Sequence, residues 1–292
     1  MKNYHPFNPQ PTTPNKLPPH KSCDSQFHVF GPEEKYPVRP GAAYEMPTAT
    51  IAKALEMHRI LGIERGIIVQ ATTYGADHQV VLDGLEVAGR NYRGCANAIV
   101  LLEGTDAYID RLHSAGVRGA RFTRQGLGLT MSPADYSRVI GRVKELGWYV
   151  KFQPETAGII GQLSMFEDLD MSVVIDHMGR SDVALGDTDP SLKEILNLLK
   201  RGNFWVMLSL SEKLSKTGLP WDDVLPLAHK LIEAAPDRMI WGSDWPHPLS
   251  VNPPPDEALL VNQLYRYVHN DDALIEKILV RNPARLFGFE DY

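Results

Sequence analysis

Residues 132–153, SPADYSRVIGRVKELGWYVKFQ, decide the fold. An amphipathic stretch runs from Ser132 to Leu146, a glycine follows, and a short apolar run covers 148–153. Glycine tolerates the left-handed backbone that closes a helix, so Leu146-Gly147-Trp148 reads as a turn from helix into strand. The same signal stands at Leu61-Gly62-Ile63 and Ala115-Gly116-Val117. Working outward, the sequence predicts strands over 23–30, 66–70, 98–102, 117–122, 148–153, 172–176, 204–208 and 239–242. Helices are predicted over 48–61, 77–88, 107–115, 132–146, 191–200 and 221–234. Near-continuous apolar strands separated by helices make a parallel sheet covered on both faces. Eight of them in one chain predict a (β/α)8 TIM-like barrel. A doubly wound open sheet fits less well, because no glycine-rich phosphate loop follows the first strand.

The 292 residues are 43% hydrophobic and 23% charged, the composition of an ordinary globular enzyme. That length is compatible with one barrel domain, expected over 23–292. Lys+Arg number 30 against 36 Asp+Glu, a net −6 with no basic run, which argues against nucleic acid as a partner. Cys23 and Cys95 allow one disulfide at most and match no zinc spacing. No segment approaches the ~20 apolar residues of a membrane span, so no membrane partner is expected. No apolar leader is visible, and a cytoplasmic location is the expectation. Six prolines in the first 20 residues predict an extended surface arm over 1–22. It reads either as a loose terminus or as a strap on a neighbouring subunit in a homo-oligomer.

In a parallel barrel the chemistry gathers where strands end. Asp24, Gln26 and His28 alternate on the first strand and are expected to share a face. Tyr74 follows the second strand; Arg121 ends the fourth, with Arg124 just beyond. Gln153 ends the fifth, His177 and Arg180 follow the sixth, Lys213 lies after the seventh, and Asp244 and His247 follow the eighth. Each also has a plain structural reading. Asp24 suits backbone hydrogen bonds near the barrel floor, His28 a core histidine, and Arg180 and His247 loop supports. The coincidence of so many polar groups at one mouth favours a site, since burying them without purpose is costly.

Three segments carry a resemblance: 23–32 (CDSQFHVFGP), 174–180 (VIDHMGR) and 240–248 (IWGSDWPHP). Supporting pieces are Leu61-Gly62-Ile63-Glu64-Arg65, Gly119-Ala120-Arg121-Phe122 and Pro220-Trp221-Asp222-Asp223. Together they resemble the amidohydrolase superfamily, nearest to its branch of 2-pyrone-4,6-dicarboxylate lactonases, from Cys23 to the C-terminus. Most amidohydrolases end strand one in a metal-binding His-x-His. Here the first of those positions is Gln26, a poor transition-metal ligand. His28, His177 and Asp244 remain, and three ligands can hold zinc, but the lactonase branch works without metal. No metal and no cofactor are therefore expected.

What the resemblance implies is hydrolysis of a carboxylate-bearing lactone, with Asp244 as the base toward water and His177, with His28, polarising the carbonyl. Arg121 and Arg124 would grip substrate carboxylates through their planar forks. Gln26, Tyr74, Gln153 and Lys213 stand where the pyrone dicarboxylate pattern has other residues, all expected to bind substrate. They shift the expected substrate toward a hydroxylated sugar-acid lactone or a muconolactone-type ring. Galactarolactone isomerases share the Gln-x-His pattern but carry asparagine at the strand-eight position, so retained Asp244 favours hydrolysis over isomerisation. A metal-dependent hydrolase or decarboxylase and a catalytically silent binding protein are the other readings.

Overall fold

The computed structural model describes residues 4–123, 131–250 and 252–289. Eight parallel strands stand in sequence order: β1 Cys23–Phe27, β2 Arg65–Val69, β3 Tyr92–Asn97, β4 Val117–Phe122, β5 Tyr149–Phe152, β6 Val173–Ile175, β7 Phe204–Leu208 and β8 Met239–Trp241. The circle closes just past the last strand, where the His28 N–H donates to the Trp245 carbonyl at 2.7 Å and the Asp244 N–H to the Gln26 carbonyl at 3.0 Å. The barrel predicted from the alternating pattern is the fold observed. Among the described residues, the α-helices of ten residues or more are α1 Ile51–Leu61, α2 Gln79–Ala88, α3 Asp106–Ala115, α4 Pro133–Glu145, α5 Pro190–Leu199, α6 Leu225–Ala234 and α7 Glu257–Tyr267. The connection after β5 carries a 3-10 stretch, Ile160–Met165.

Two apolar layers hold these elements. Cys23, Ile67, Val69, Cys95, Tyr149, Val174, Trp205, Met207 and Ile240 fill the barrel, with Phe287 and Phe289 of the C-terminal segment packed into the same cluster. The larger outer layer seals helices against strands. With its interior packed solid, the barrel leaves its polar residues to the strand ends.

The third strand differs from expectation. It is Tyr92–Asn97, and the apolar residues 98–102 turn instead into a short helix, Val100–Glu103, with Val100 and Leu101 buried. Periodicity cannot separate a short apolar strand from a buried helical turn. The true strand hides behind small residues: a Cβ on Gly94 would sit 2.8 Å from Val117 Cγ2.

The proline-rich arm is seated on its own barrel rather than loose. Thr12 donates from Oγ1 to Asp256 at 2.7 Å, the Asn15 N–H donates to Asn262 Oδ1 at 2.8 Å, and Tyr265 donates to the Leu17 carbonyl at 3.0 Å.

Candidate active site

Asp244 follows β8 with φ 60°, a left-handed conformation that a short polar side chain tolerates better than most. Its neighbours hold it there. The Ser243 N–H donates to Asp24 Oδ1 at 2.9 Å, and the Gln26 N–H donates to the same oxygen at 3.1 Å. Asp24 Oδ2 meets His58 Nε2 of α1 at 3.1 Å. Asp24 therefore ties β1, α1 and the loop after β8 together, as its plain reading expected. It does not share the face of Gln26 and His28: the β1–β2 register shifts between Asp24 and Phe27, which breaks simple alternation. His247 also serves the loop. Its N–H donates to the Asp244 carbonyl at 2.7 Å, and its buried ring lies 3.6 Å from Glu212 and 3.5 Å from Glu257. Burial would lower its pKa, but the two carboxylates outweigh burial and push it up to about 9.

Gln26, His28, His177 and Asp244 come together at the mouth. Gln26 Nε2 donates to Asp244 Oδ1 at 2.8 Å and lies 3.4 Å from His177 Nε2. His177 Nδ1 lies 2.8 Å from Ser209 Oγ. His28 Nδ1 donates to the Val69 carbonyl at 2.8 Å, leaving Nε2 3.4 Å from Asp244 Oδ1. Lys213 Nζ is 3.7 Å from the other carboxylate oxygen and donates to the Pro248 carbonyl at 3.1 Å.

Burial pulls the His177 pKa down to about 4, so this ring is neutral near pH 7. For Asp244 burial works the other way, yet His177, His28 and Lys213 outweigh it and hold the carboxyl well below the usual range. At neutral pH the site thus presents an ionised carboxylate beside a neutral imidazole. A neutral His177 has one ring hydrogen. Placed on Nδ1 toward Ser209, it leaves Nε2 free to accept from the Gln26 NH₂ group.

The cavity over Asp244 measures about 350 Å³ and is lined by His28, His177, Arg121, Arg180, Gln153, Lys213, Thr72, Tyr44 and Tyr4, among others. Arg121 is oriented from behind, its Nε 3.3 Å from Asp176 Oδ2, while buried Lys151 places Nζ 2.5 Å from Asp176 Oδ1. Arg180 reaches the cavity wall, its buried Nε without a hydrogen-bond partner among the described residues.

Of the expected binding residues, Arg121, Gln153 and Lys213 line this cavity. Gln26 is wholly buried behind Asp244 and His177, its NH₂ group committed to them. Tyr74 is not on the wall either. Thr72–Tyr74 forms one 3-10 turn, which gives Thr72 to the cavity and leaves the Tyr74 hydroxyl accepting from the Gly31 N–H at 3.3 Å. Arg124 lies outside the described residues. Lys151 was missed because an ion pair across two strands leaves no local spacing. Tyr44 and Tyr4 were missed because they arrive from loop and arm.

The donor set does not suit a divalent cation. Among the described residues no three His, Cys, Asp or Glu side chains are grouped to hold one. An amide NH₂ and an ammonium also occupy two of the approaches to Asp244.

The amidohydrolase family profile matches residues 23–289. The chain belongs to the amidohydrolase family. Among curated relatives, a 2-pyrone-4,6-dicarboxylate hydrolase of Comamonas testosteroni is 34% identical over 291 residues, covering 96% of this chain and 94% of that one. A 4-sulfomuconolactone hydrolase of Rhizobium radiobacter is 34% identical over 275 residues, covering 92% and 91%. A crystal structure of an Agrobacterium tumefaciens protein superposes with a TM-score of 0.82 at 25% identity, covering 98% of this chain and 100% of that one. The branch expected from the sequence is therefore among those to which this amidohydrolase is similar.

Proposed function

We propose that this amidohydrolase opens a carboxylate-bearing lactone by metal-independent hydrolysis, with Asp244 as general base. The observation that carries this reading is an ionised, buried carboxylate beneath a cavity walled by three cationic side chains, Arg121, Arg180 and Lys213. The named activities of the two lactone-hydrolysing relatives support the reaction class. Asp244 takes a proton from water as the oxygen attacks the lactone carbonyl, forming a tetrahedral intermediate. Lys213, the cation 3.7 Å from Asp244, receives the negative charge developing on the carbonyl oxygen. Collapse breaks the ring C–O bond, and the proton held by Asp244 passes to the leaving alkoxide. Arg121 and Arg180 are left to hold carboxylate. In this reading His177 has a different task from the one the resemblance implied. It fixes Gln26, and through it Asp244, instead of polarising the carbonyl.

A panel of acid lactones in weakly buffered indicator dye tests this, run on protein dialysed with and without a chelator. The expected result is equal proton release from one carboxylated class in both samples. Loss of activity with the chelator contradicts metal independence, and ring rearrangement without acid release contradicts hydrolysis.

A further inference from the structure

The proposed chemistry makes no use of the N-terminal arm, yet the arm reaches the site. Tyr4 lines the Asp244 cavity beside Pro248, Leu249 and Tyr44. The His5 N–H donates to the Ser250 carbonyl at 3.0 Å. The Phe7 ring sits 4.8 Å from that of Trp245, the residue next to the base. Farther back, the contacts of Thr12, Asn15 and Leu17 fasten the arm to α7 and its N-cap. Proline stiffens such a segment and restricts the unfolded chain, so seating it costs little conformational entropy. The same cavity has charged lining residues, and Tyr4, Tyr44 and Leu249 add rings and aliphatic surface to it. The Tyr4 hydroxyl has no hydrogen bond to a described residue.

We propose that the arm is a fixed wall of the binding cavity and that Tyr4 is a specificity-determining residue. Its ring covers the apolar face of a bound lactone, and its hydroxyl hydrogen-bonds an oxygen substituent on that ring. The proposal rests on the cavity being the substrate site. It extends that reading by favouring ring substrates with a hydroxyl or second oxygen group over bare ones.

The test compares the full-length protein with Tyr4→Phe, Tyr4→Ala and a form lacking residues 1–8. Thermal melting is measured on each, so that loss of fold is separated from loss of binding. Because Tyr4 binds without joining the proton transfers, Tyr4→Ala raises KM about tenfold and leaves kcat within about twofold. Tyr4→Phe lowers the preference for hydroxylated over unsubstituted lactones by about fivefold, the worth of one hydrogen bond. Unchanged KM and unchanged preference in a folded Tyr4→Ala protein overturn the proposal. Amide exchange at His5 in the substrate-free protein gives a readout independent of the reaction. Protection supports a seated arm, and exchange at the rate of a free peptide overturns it. If no lactone is turned over by the unaltered protein, the proposed function fails, while His5 still reports whether the arm is seated.

Discussion

Replacing Lys151 by methionine tests how the cation that reads carboxylate is held. Lys151 is 1% exposed and Asp176 0%, so the ion pair between them, at 2.5 Å, lies out of water. Arg121 contacts the other oxygen of Asp176 at 3.3 Å. Lys151→Met keeps the bulk of the side chain and deletes the ammonium, leaving Asp176 buried with Arg121 alone. Breaking a buried pair by removing one partner costs about 3–5 kcal/mol. The retained Arg121 places the expected loss at the low end, about 3 kcal/mol, or a melting temperature on the order of 6–12 °C lower. Burial alone would raise the Asp176 pKa, and Lys151, then Arg121, outweigh burial and lower it. A carboxylate lowered in the fold adds stability above its ordinary pKa of 3.8 and loses it as pH falls through the folded value. The gap between parent and variant is thus full at neutral pH and narrows under acid. Urea unfolding at pH 7 and in steps below pH 3.8 measures it. A loss below about 1 kcal/mol at pH 7, or one that does not narrow in acid, refutes the reasoning.

Gln26→Leu removes a charge-assisted hydrogen bond to Asp244, worth about 1.5–3 kcal/mol. The acid limb of kcat/KM therefore moves up by about one to two pH units, which a pH–rate profile reads. His247 has its pKa raised to about 9, so its contribution is fully present below about 6.5 and lost as pH rises through 9. Unfolding free energy is expected to fall by roughly 3 kcal/mol over that window in the parent protein and to stay flatter in His247→Gln. Arg121→Met is expected to weaken binding of carboxylated lactones by about 2–4 kcal/mol, measured by calorimetry against an uncarboxylated ring.

The parts of the fold legible in the sequence were those whose physics is local. Residues 204–208 read as a strand because apolar side chains bound for two covered faces leave an unbroken run, and β7 occupies those residues. β3 did not read so, because Gly94 makes room for Val117 across the sheet and no single strand records that fit. In the site, Asp244, His177 and His28 were legible from their places at strand ends. Gln26 was placed on the substrate wall because counting residues gives a face but not a depth. Its amide faces the base, and that depends on the backbone closure between β1 and the loop after β8. Tyr74 and Asp24 were misplaced by a helical turn and a register shift, each of which rotates a side chain without altering composition. The Lys151–Asp176 pair joins neighbouring strands 25 residues apart in sequence, a spacing with no periodic signature.

Asp244→Asn, purified and assayed for both lactone turnover and ligand binding, tests the central claim most directly. The substitution removes the base and keeps the shape, and Gln26 can still donate to the remaining oxygen. The account predicts turnover lost by at least about a hundredfold while a carboxylated lactone still binds with affinity within about tenfold of the parent. Retained turnover, or binding lost together with turnover, contradicts it.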